Sequence, residues 1–389
     1  MYIGYDEEQE ALRQELRSYY QTLLTDEVRA GLAQEHGVGP VHREIVRQIG
    51  ADGWLGIGWP TEYGGQGRSA VEQVLFFDES MRSRAPIPML TINTVGPTLM
   101  QFGTEEQKNF FLPKIVGGEI TFCIGYSEPD AGTDLFSLTT KAVRDGDEYI
   151  INGQKTWTSL ASDADYIWLA ARTNTEVKKQ KGVSLFCIPM DTPGIKVEPL
   201  DLLSSHDINN TYFDDCRVPA STMVGEENQG FRLITSQLNR ERVTLCSSGI
   251  VERELADCIR WAQETKRYDG SRVIDQPWVQ STLAEVRAKS EYLRLINWKV
   301  AWTVATSNID VADSSAIKVF GTEFYVEAFR AMMEVYGSQS YIEEGEPDHV
   351  TNLSNMWRSM VILTFGGGTN EMQRDLISQF GLGLPRADR

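Results

Sequence analysis

The chain has 389 residues, 41% hydrophobic and 24% charged, which is enough for two or three domains with substantial cores. Its formal net charge of -18 repels nucleic-acid phosphates and anionic membrane surfaces, so neither is an expected partner and any phosphate-bearing ligand must be held by local donors. Five well-separated cysteines (Cys123, Cys187, Cys216, Cys246, Cys258) without CxxC spacing, and four scattered histidines (His36, His42, His206, His349), argue against a disulfide framework and a metal site and for reduced, buried thiols.

The first segment, MYIGYDEEQEALRQELRSYY, reads as an acidic amphipathic helix in place of a basic-plus-apolar leader. With no apolar run of bilayer-spanning length, this predicts a cytoplasmic protein. Up to about Lys114 the segments HREIVRQIGADGWLG, SAVEQVLFFDESM and GTEEQKNFFLPKIVGG keep helical spacing, and GWPTEYGGQG is a loop between helices. Thr104 is placed to cap the last of them, with Glu105, Glu106 and Gln107 in its first turn. Near Glu119 the period changes to short β-rich runs, TFCIGYSE, KAVRDGDEYIINGQKTWTSL, DYIWLAART, VSLFCIPM, IKVEPL and NTYFDDCRV. Asp145-Gly146 and Asn152-Gly153 are hairpin signals within them. After Gly225 the helical period returns, with segments starting near Gly230, Gln276, Asp310, Leu353 and Thr369. The expected organisation is α+β and multidomain: an N-terminal helical domain over 1–118, a middle antiparallel β domain over 119–226 and a C-terminal helical domain over 227–389.

The stretch FCIGYSEPDAGTDLFSLTTKAVRDGDEYIINGQKTWTSLASDADYIWLAART, Phe122 to Thr173, carries S-E-P-x-A-G-T-D at Ser127 to Asp134 and K-x-W-x-S at Lys155 to Ser159. With PTEYGGQG, GTEEQKNFFLPKIVGGE, VPASTMVGEENQGF and GGGTNEMQR, it resembles the acyl-CoA dehydrogenase family over nearly the whole length. The resemblance implies that family's fold, with a C-terminal four-helix bundle, and bound FAD. A planar apolar ring needs a flat partner and donors aimed at its heteroatoms, because the protein supplies orientation and electrostatics. By resemblance Trp157 packs on the ring, Ser159, beside Thr158, bonds near its reactive nitrogen, and Ile124, Tyr126 and Ser127 serve its polar edge. Gly132 and Thr133 lie near the pyrophosphate, where a glycine permits close approach, and Thr133 also borders the substrate. The implied reaction is removal of an α-proton from an acyl-CoA thioester by a carboxylate while the flavin takes the β-hydrogen, giving a trans-2-enoyl-CoA. Electrons then pass to an electron-transfer flavoprotein.

The family's Y-E-G-T segment aligns with Gly366-Gly367-Gly368-Thr369, so a glycine stands at the carboxylate position. The helix from Gly230 places Ile234, Leu238, Glu241 and Leu245 on one stripe, and an ionised carboxylate on an interior face must be paired or used. Some family members, including branched-chain, long-chain and steroid side-chain enzymes, carry the base on this helix just before an arginine, which Glu241-Arg242 matches. The resemblance thus assigns the base to Glu241, a supporting role to Arg242, and contact with the pantetheine arm to Asn239. An ion pair of Glu241 with Arg240 or Arg242, or a solvated position if the face is displaced by one residue, is the alternative. Gly367 keeps a backbone N–H for the thioester carbonyl, Thr369 and Glu371 remain for flavin contacts, and the missing side chains leave room for a bulky or α-branched acyl group such as a sterol side chain.

Elements that complete a neighbour's flavin site in the family are altered together: R-x-x-F-G becomes Lys266-Arg267-Tyr268-Asp269-Gly270, and Q-x-x-G-G becomes Glu334-Val335-Tyr336-Gly337-Ser338. Acidic residues there repel a pyrophosphate. The pattern implies a homologous partner subunit in an α2β2 heterotetramer with two flavins, as in bacterial steroid-degrading members. A weakly binding homomer, a non-catalytic subunit and an acyl-CoA oxidase remain open readings.

Overall fold

Capping chemistry starts the helices of the N-terminal third. The computed structural model describes residues 4–35, 37–203, 207–244, 246–306, 310–341 and 351–386; along 238–244, 304–306 and 351–352 and at 341 it describes the backbone without side chains. Asp6, Ser69 and Thr104 form capping boxes with Gln9, Glu72 and Gln107 at the starts of α1 (Glu7–Leu23), α4 (Ala70–Ser83) and α6 (Glu105–Val116). Thr25 caps α2 (Asp26–Gln34), and Pro40 occupies the first position of α3 (Pro40–Ala51), where its missing N–H costs nothing. Leu12, Leu16 and Tyr20 of α1 and Ile45, Val46 and Ile49 of α3 turn inward around α4, which is buried continuously from Val74 to Ser80.

A wide π-helical turn, Thr91–Val95, leads into α5 (Gly96–Phe102), and all five of its residues are buried. Gly96 is required there, since a Cβ would lie 2.3 Å from the Trp59 ring.

The strands are β1 (Phe122–Gly125), β2 (Lys141–Asp145), β3 (Glu148–Ser159), β4 (Tyr166–Arg172), β5 (Val183–Pro189), β6 (Ile195–Pro199), β7 (Ile208–Pro219) and β8 (Met223–Val224). They form one sheet in the order β6-β7-β3-β2-β4-β5-β8, with β1 against β4. Most pairs are antiparallel as expected, but β1 runs parallel to β4 and Lys141 pairs in parallel with Arg172, so the sheet is mixed. The helix-fed strand β1 and β4 are joined by a long crossover through β2 and β3, which is what parallel pairing requires. The Asp145-Gly146 hairpin is present, with Asp145 opposite Glu148 and Gly146 at φ 64. Asn152-Gly153 corrects the second hairpin expectation. It lies inside β3, where the register shifts at a bulge; Gly153 sits at φ 151 and a Cβ there would come within 2.5 Å of Thr140 Oγ1. Asn152 reaches across to β7 instead, exchanging bonds of 3.0 and 2.9 Å with Asp215.

The helical segment from Gly230 is two helices, α7 (Gly230–Thr244) and α8 (Ser248–Glu264), with Ser247 capping the second. α9 (Pro277–Thr306), α10 (Val311–Tyr336), α11 (Thr351–Ile362) and α12 (Asn370–Leu376) follow. α10 is central, packing on α7, α8, α9, α11 and α12 around Ile317, Phe324, Phe329 and Met332. All five cysteines are free and buried, and no described helix is long and apolar enough to cross a membrane.

Candidate active site

The Ser127–Asp134 motif folds as a turn closed by reciprocal bonds between Glu128 and Ala131 (3.0 and 3.1 Å). This puts Gly132 and Thr133 at the surface, and a Cβ on Gly132 would meet nothing within 4 Å. The space in front of Gly132 is open, as close approach of a phosphate needs. Glu128 itself turns inward. It accepts from the Thr139 and Thr140 N–H groups (2.6 and 2.9 Å), from the Thr139 hydroxyl (2.8 Å) and from Lys155 (2.8 Å), whose ammonium also bonds the Tyr126 carbonyl at 3.1 Å. Burial alone would push the Glu128 carboxyl up, but the Lys155 charge and these donors hold it down at about 2. Burial lowers Lys155 to about 8, with Glu128 offsetting part of the effect.

This buried pair fastens the end of β1 to the end of β3, where Thr156 N–H also donates to the Ser127 carbonyl at 2.9 Å. At that end β3 bulges between Lys155 and Thr158, and Trp157 adopts φ 60, a left-handed conformation that costs a non-glycine residue about 1–3 kcal/mol. The bulge turns the indole out of the sheet, leaving Trp157 59% exposed on a buried strand. The neighbouring Thr158 is 1% exposed and its Oγ1 has no partner among the described residues. Ile124, Ser127 and Ser159 are half-buried around the same edge. A flat aromatic face, free and fixed polar groups beside it and an open glycine at one end fit a planar ring with a phosphate tail, and the sequence-predicted residues Ile124, Tyr126, Ser127, Gly132, Thr133, Trp157, Thr158 and Ser159 all border this edge. Tyr126 contributes backbone there, since its side chain is buried and donates to Gln237 Oε1 at 2.5 Å.

Gln237 ties this edge to α7. Among the described side chains of α7, Leu233, Ile234 and Gln237 are buried, and position 241 follows Gln237 by one helical turn in the sequence. The side chains of Leu238, Asn239, Arg240, Glu241, Arg242 and Leu245 lie outside the described residues, as do the alternatives of an ion pair to Arg240 or Arg242. His36, His206 and His349 are outside them as well.

The glycine segment is a loop clamped from beneath. Lys318 of α10, fully buried, donates to the Thr364 carbonyl (3.0 Å), the Gly368 carbonyl (2.7 Å) and Asn370 Oδ1 (2.7 Å). Three donors meet three acceptors on both flanks of Gly366-Gly367. Gly367 and Gly368 are both left-handed, at φ 70 and 98, and no hydrogen bond from the Gly367 N–H is found among the described residues. A side chain at either position is strained, and a Cβ on Gly368 would meet Gln373 at 2.7 Å. Thr369 caps α12, accepting from the Met372 N–H at 3.2 Å, and Glu371 is exposed in the first turn. Both the clamped loop and α7 pack on α10.

At the two altered sites the acidic groups have partners of their own. Asp269 pairs with Arg267 at 3.3 Å and accepts from the Ser271 N–H and hydroxyl at 3.0 and 2.6 Å, which leaves Tyr268 96% exposed at the tip of a tight turn. Glu334 lies 4.0 Å from Arg330 on the exposed side of α10.

Sequence reasoning did not single out Glu128, Lys155, Lys318 or Gln237 as structural supports of the site. A lysine in the apolar run AIKVF and another on an inward strand position were the available signals. Among the described residues no cluster of histidine, cysteine and carboxylate side chains could hold a metal ion.

Family models for the N-terminal, middle and C-terminal domains of acyl-CoA dehydrogenases match residues 6–119, 123–216 and 228–382. Acyl-CoA dehydrogenase FadE26 of Mycobacterium tuberculosis is 51% identical, covering 100% of both chains, and FadE29 of the same organism is 43% identical with the same coverage. Among solved structures, a chain of the ChsE4-ChsE5 complex from Mycobacterium tuberculosis superposes with a TM-score of 0.92 at 51% identity, covering 100% of each chain. A chain of the Tcur3481-Tcur3483 steroid ACAD gives 0.91 at 44%, again covering 100% of each. With all three domains matched in order along a continuous chain, this protein belongs to the acyl-CoA dehydrogenases, an oxidoreductase family.

Proposed function

We propose that this chain is the catalytic subunit of an FAD-dependent acyl-CoA dehydrogenase that acts on a bulky or α-branched, sterol side-chain type acyl-CoA, with Glu241 as its base. The observation that carries the reading is the pairing of two left-handed glycines at 367 and 368, which supply no carboxylate and where a side chain would be strained, with a glutamate one helical turn after the buried Gln237 of α7. Burial raises a carboxylate toward working pH, which suits proton abstraction.

In this reading Glu241 takes the α-proton, Arg242 supports its orientation, and Asn239 and Thr133 hold the thioester's carrier arm. The Gly367 N–H donates to the thioester carbonyl, where negative charge grows as the α-proton leaves. Lys318 keeps that N–H in place by fixing both flanks of the loop. Bound FAD supplies the acceptor for the electrons of the β-carbon–hydrogen bond. Trp157 covers its ring, Ser159 and Thr158 stand beside its reactive edge, and Gly132 and Thr133 lie at its phosphates, with Thr369 and Glu371 at its far side. The absence of side chains at 366 and 367 supports a wide substrate, as do relatives described as steroid enzymes.

The relatives that form two-subunit complexes support a homologous partner in an α2β2 heterotetramer, and the internal partners of Asp269 and Glu334 accord with a chain that does not complete a neighbour's flavin site. An electron-transfer flavoprotein is the expected acceptor, the cytoplasm the expected location, and the domain divisions fall at 118/119 and 226/227. The test is co-purification with the homologous partner followed by anaerobic titration with a sterol-type acyl-CoA. Bleaching of the flavin, at half a flavin per chain, is the expected outcome. No bleaching with any acyl-CoA contradicts the catalytic reading, rapid reoxidation by oxygen would make it an oxidase, and one flavin per chain in a homotetramer contradicts the heteromer.

A further inference from the structure

The π-helical turn Thr91–Val95, β1 and α7 meet at one junction, where Thr91 Oγ1 accepts from the Phe122 N–H at 3.0 Å and α7 packs on the turn. The hydrogen bonding at this junction does not close. Gln237, 1% exposed, accepts on Oε1 from Tyr126 and, at 3.0 Å, from the Trp168 indole. An indole N–H can only donate, so the oxygen of Gln237 is fixed toward it and the amide nitrogen is left over. That Nε2 has no partner among the described residues.

On the facing turn Asn93 uses Nδ2 on Met89 Sδ at 3.8 Å, and its Oδ1 is unpaired. Thr94 Oγ1 is unpaired as well, and the two residues are 7% and 1% exposed. Nearly all buried polar groups in proteins are bonded, and irregular π turns gather at functional sites. Gln237 lies one helical turn before position 241 in α7, and with Glu241 as the base the catalytic reading sets these unpaired atoms beside the acyl group. A plain hydrocarbon would displace water and satisfy none of them.

We propose that the acyl group accepted by this chain carries a hydrogen-bonding oxygen, a hydroxyl or carbonyl, in the part lying between the π-helical turn and α7, and that Asn93, Thr94 and Gln237 select for it. The inference rests on the catalytic reading above. The Gln237 amide donates to that oxygen, Asn93 Oδ1 accepts from it when it is a hydroxyl, and the Thr94 hydroxyl serves either way. A site built to bond a substrate oxygen discriminates strongly against the analogue lacking it, because its own polar groups are then stranded.

The experiment compares kcat/KM for α-branched acyl-CoAs of equal length, with and without one oxygen placed at successive carbons beyond Cβ, on the complex with its partner. It includes the near-isosteric variants Thr94→Val and Asn93→Leu, with flavin content checking that each variant folds. At least one oxygenated member is expected to be preferred by about tenfold or more, and each variant is expected to move that ratio toward one. Equal use of every matched pair by the unaltered protein overturns the proposal, whether or not the variants fold, and so does a preference that survives both substitutions. Absence of flavin bleaching with any acyl-CoA instead overturns the catalytic reading, and this proposal with it.

Discussion

Trp157 concentrates the conflict between local preference and use. Its left-handed backbone is one a glycine adopts freely, and an indole exposed beside a buried strand gains little from the fold. Trp157→Gly should therefore leave the cofactor-free chain as stable or up to about 1 kcal/mol more stable in a denaturant melt, while flavin affinity falls. A large loss of stability would show that the indole is a core residue. The motif around Trp157 was legible in the sequence; the bulge was not, because a positive φ leaves no trace in residue identity when the residue is a tryptophan. The Glu128–Lys155 pair was hidden for a related reason. Its glutamate sits inside a motif read for flavin contact, and the lysine that holds it comes from a different strand. Lys155→Met strands a buried carboxylate and should cost about 3–5 kcal/mol, measured by urea unfolding of the complex. The pKa of Glu128 is depressed, so its contribution is present above the ordinary carboxylate range and is lost as pH falls from about 4.5 toward 2.

At the scale of elements, helix starts were the most legible feature, because a cap is a local signal: Thr104 caps as expected, and Asp310 and Thr369, read only as the starts of helical segments, cap theirs. The π-helical turn and the break between α7 and α8 escaped for the opposite reason. Close approach of other chain segments marks both places: Gly96 sits under Trp59, and at the start of α8 a Cβ on Gly249 would lie 2.2 Å from the Asp78 carbonyl. The glycine loop depends likewise on α10. Lys318→Met takes its donor from the Gly368 carbonyl and one donor each from the Thr364 carbonyl and Asn370 Oδ1, which keep the Asn370 N–H and the Thr322 hydroxyl, at an expected cost of about 1–3 kcal/mol in thermal or urea unfolding, with a fall in kcat as the Gly367 N–H loses its fixed position. Unchanged stability and kcat would remove Lys318 from the account.

Across the whole molecule, the N-terminal helices are bound to the C-terminal bundle by polar contacts from α4. Ser247 Oγ donates to Asp78 at 2.5 Å, Arg82 pairs with Glu252 at 3.0 Å, and Arg84 pairs with Glu254. Burial raises the Asp78 carboxyl to about 7. A raised carboxyl favours the folded state below its unfolded value, so this contribution is lost as pH rises from about 4 through 7. Asp78→Asn should flatten the pH dependence of unfolding over that window, and an unchanged slope would contradict the assignment. The three-domain order was legible because periodicity switches twice along the chain, whereas the contacts between domains were not, since no local pattern encodes them. The same limit applies to the proposed partner: the altered residues at 269 and 334 are legible in the sequence, while the surface around the exposed Tyr268 is not.

The most direct measurement is anaerobic flavin reduction by a sterol-type acyl-CoA in the purified complex carrying Glu241→Gln. Flavin should remain bound and its rate of bleaching should fall by about 10²–10⁴-fold or more. Bleaching at the unaltered rate would place the base elsewhere and contradict the account.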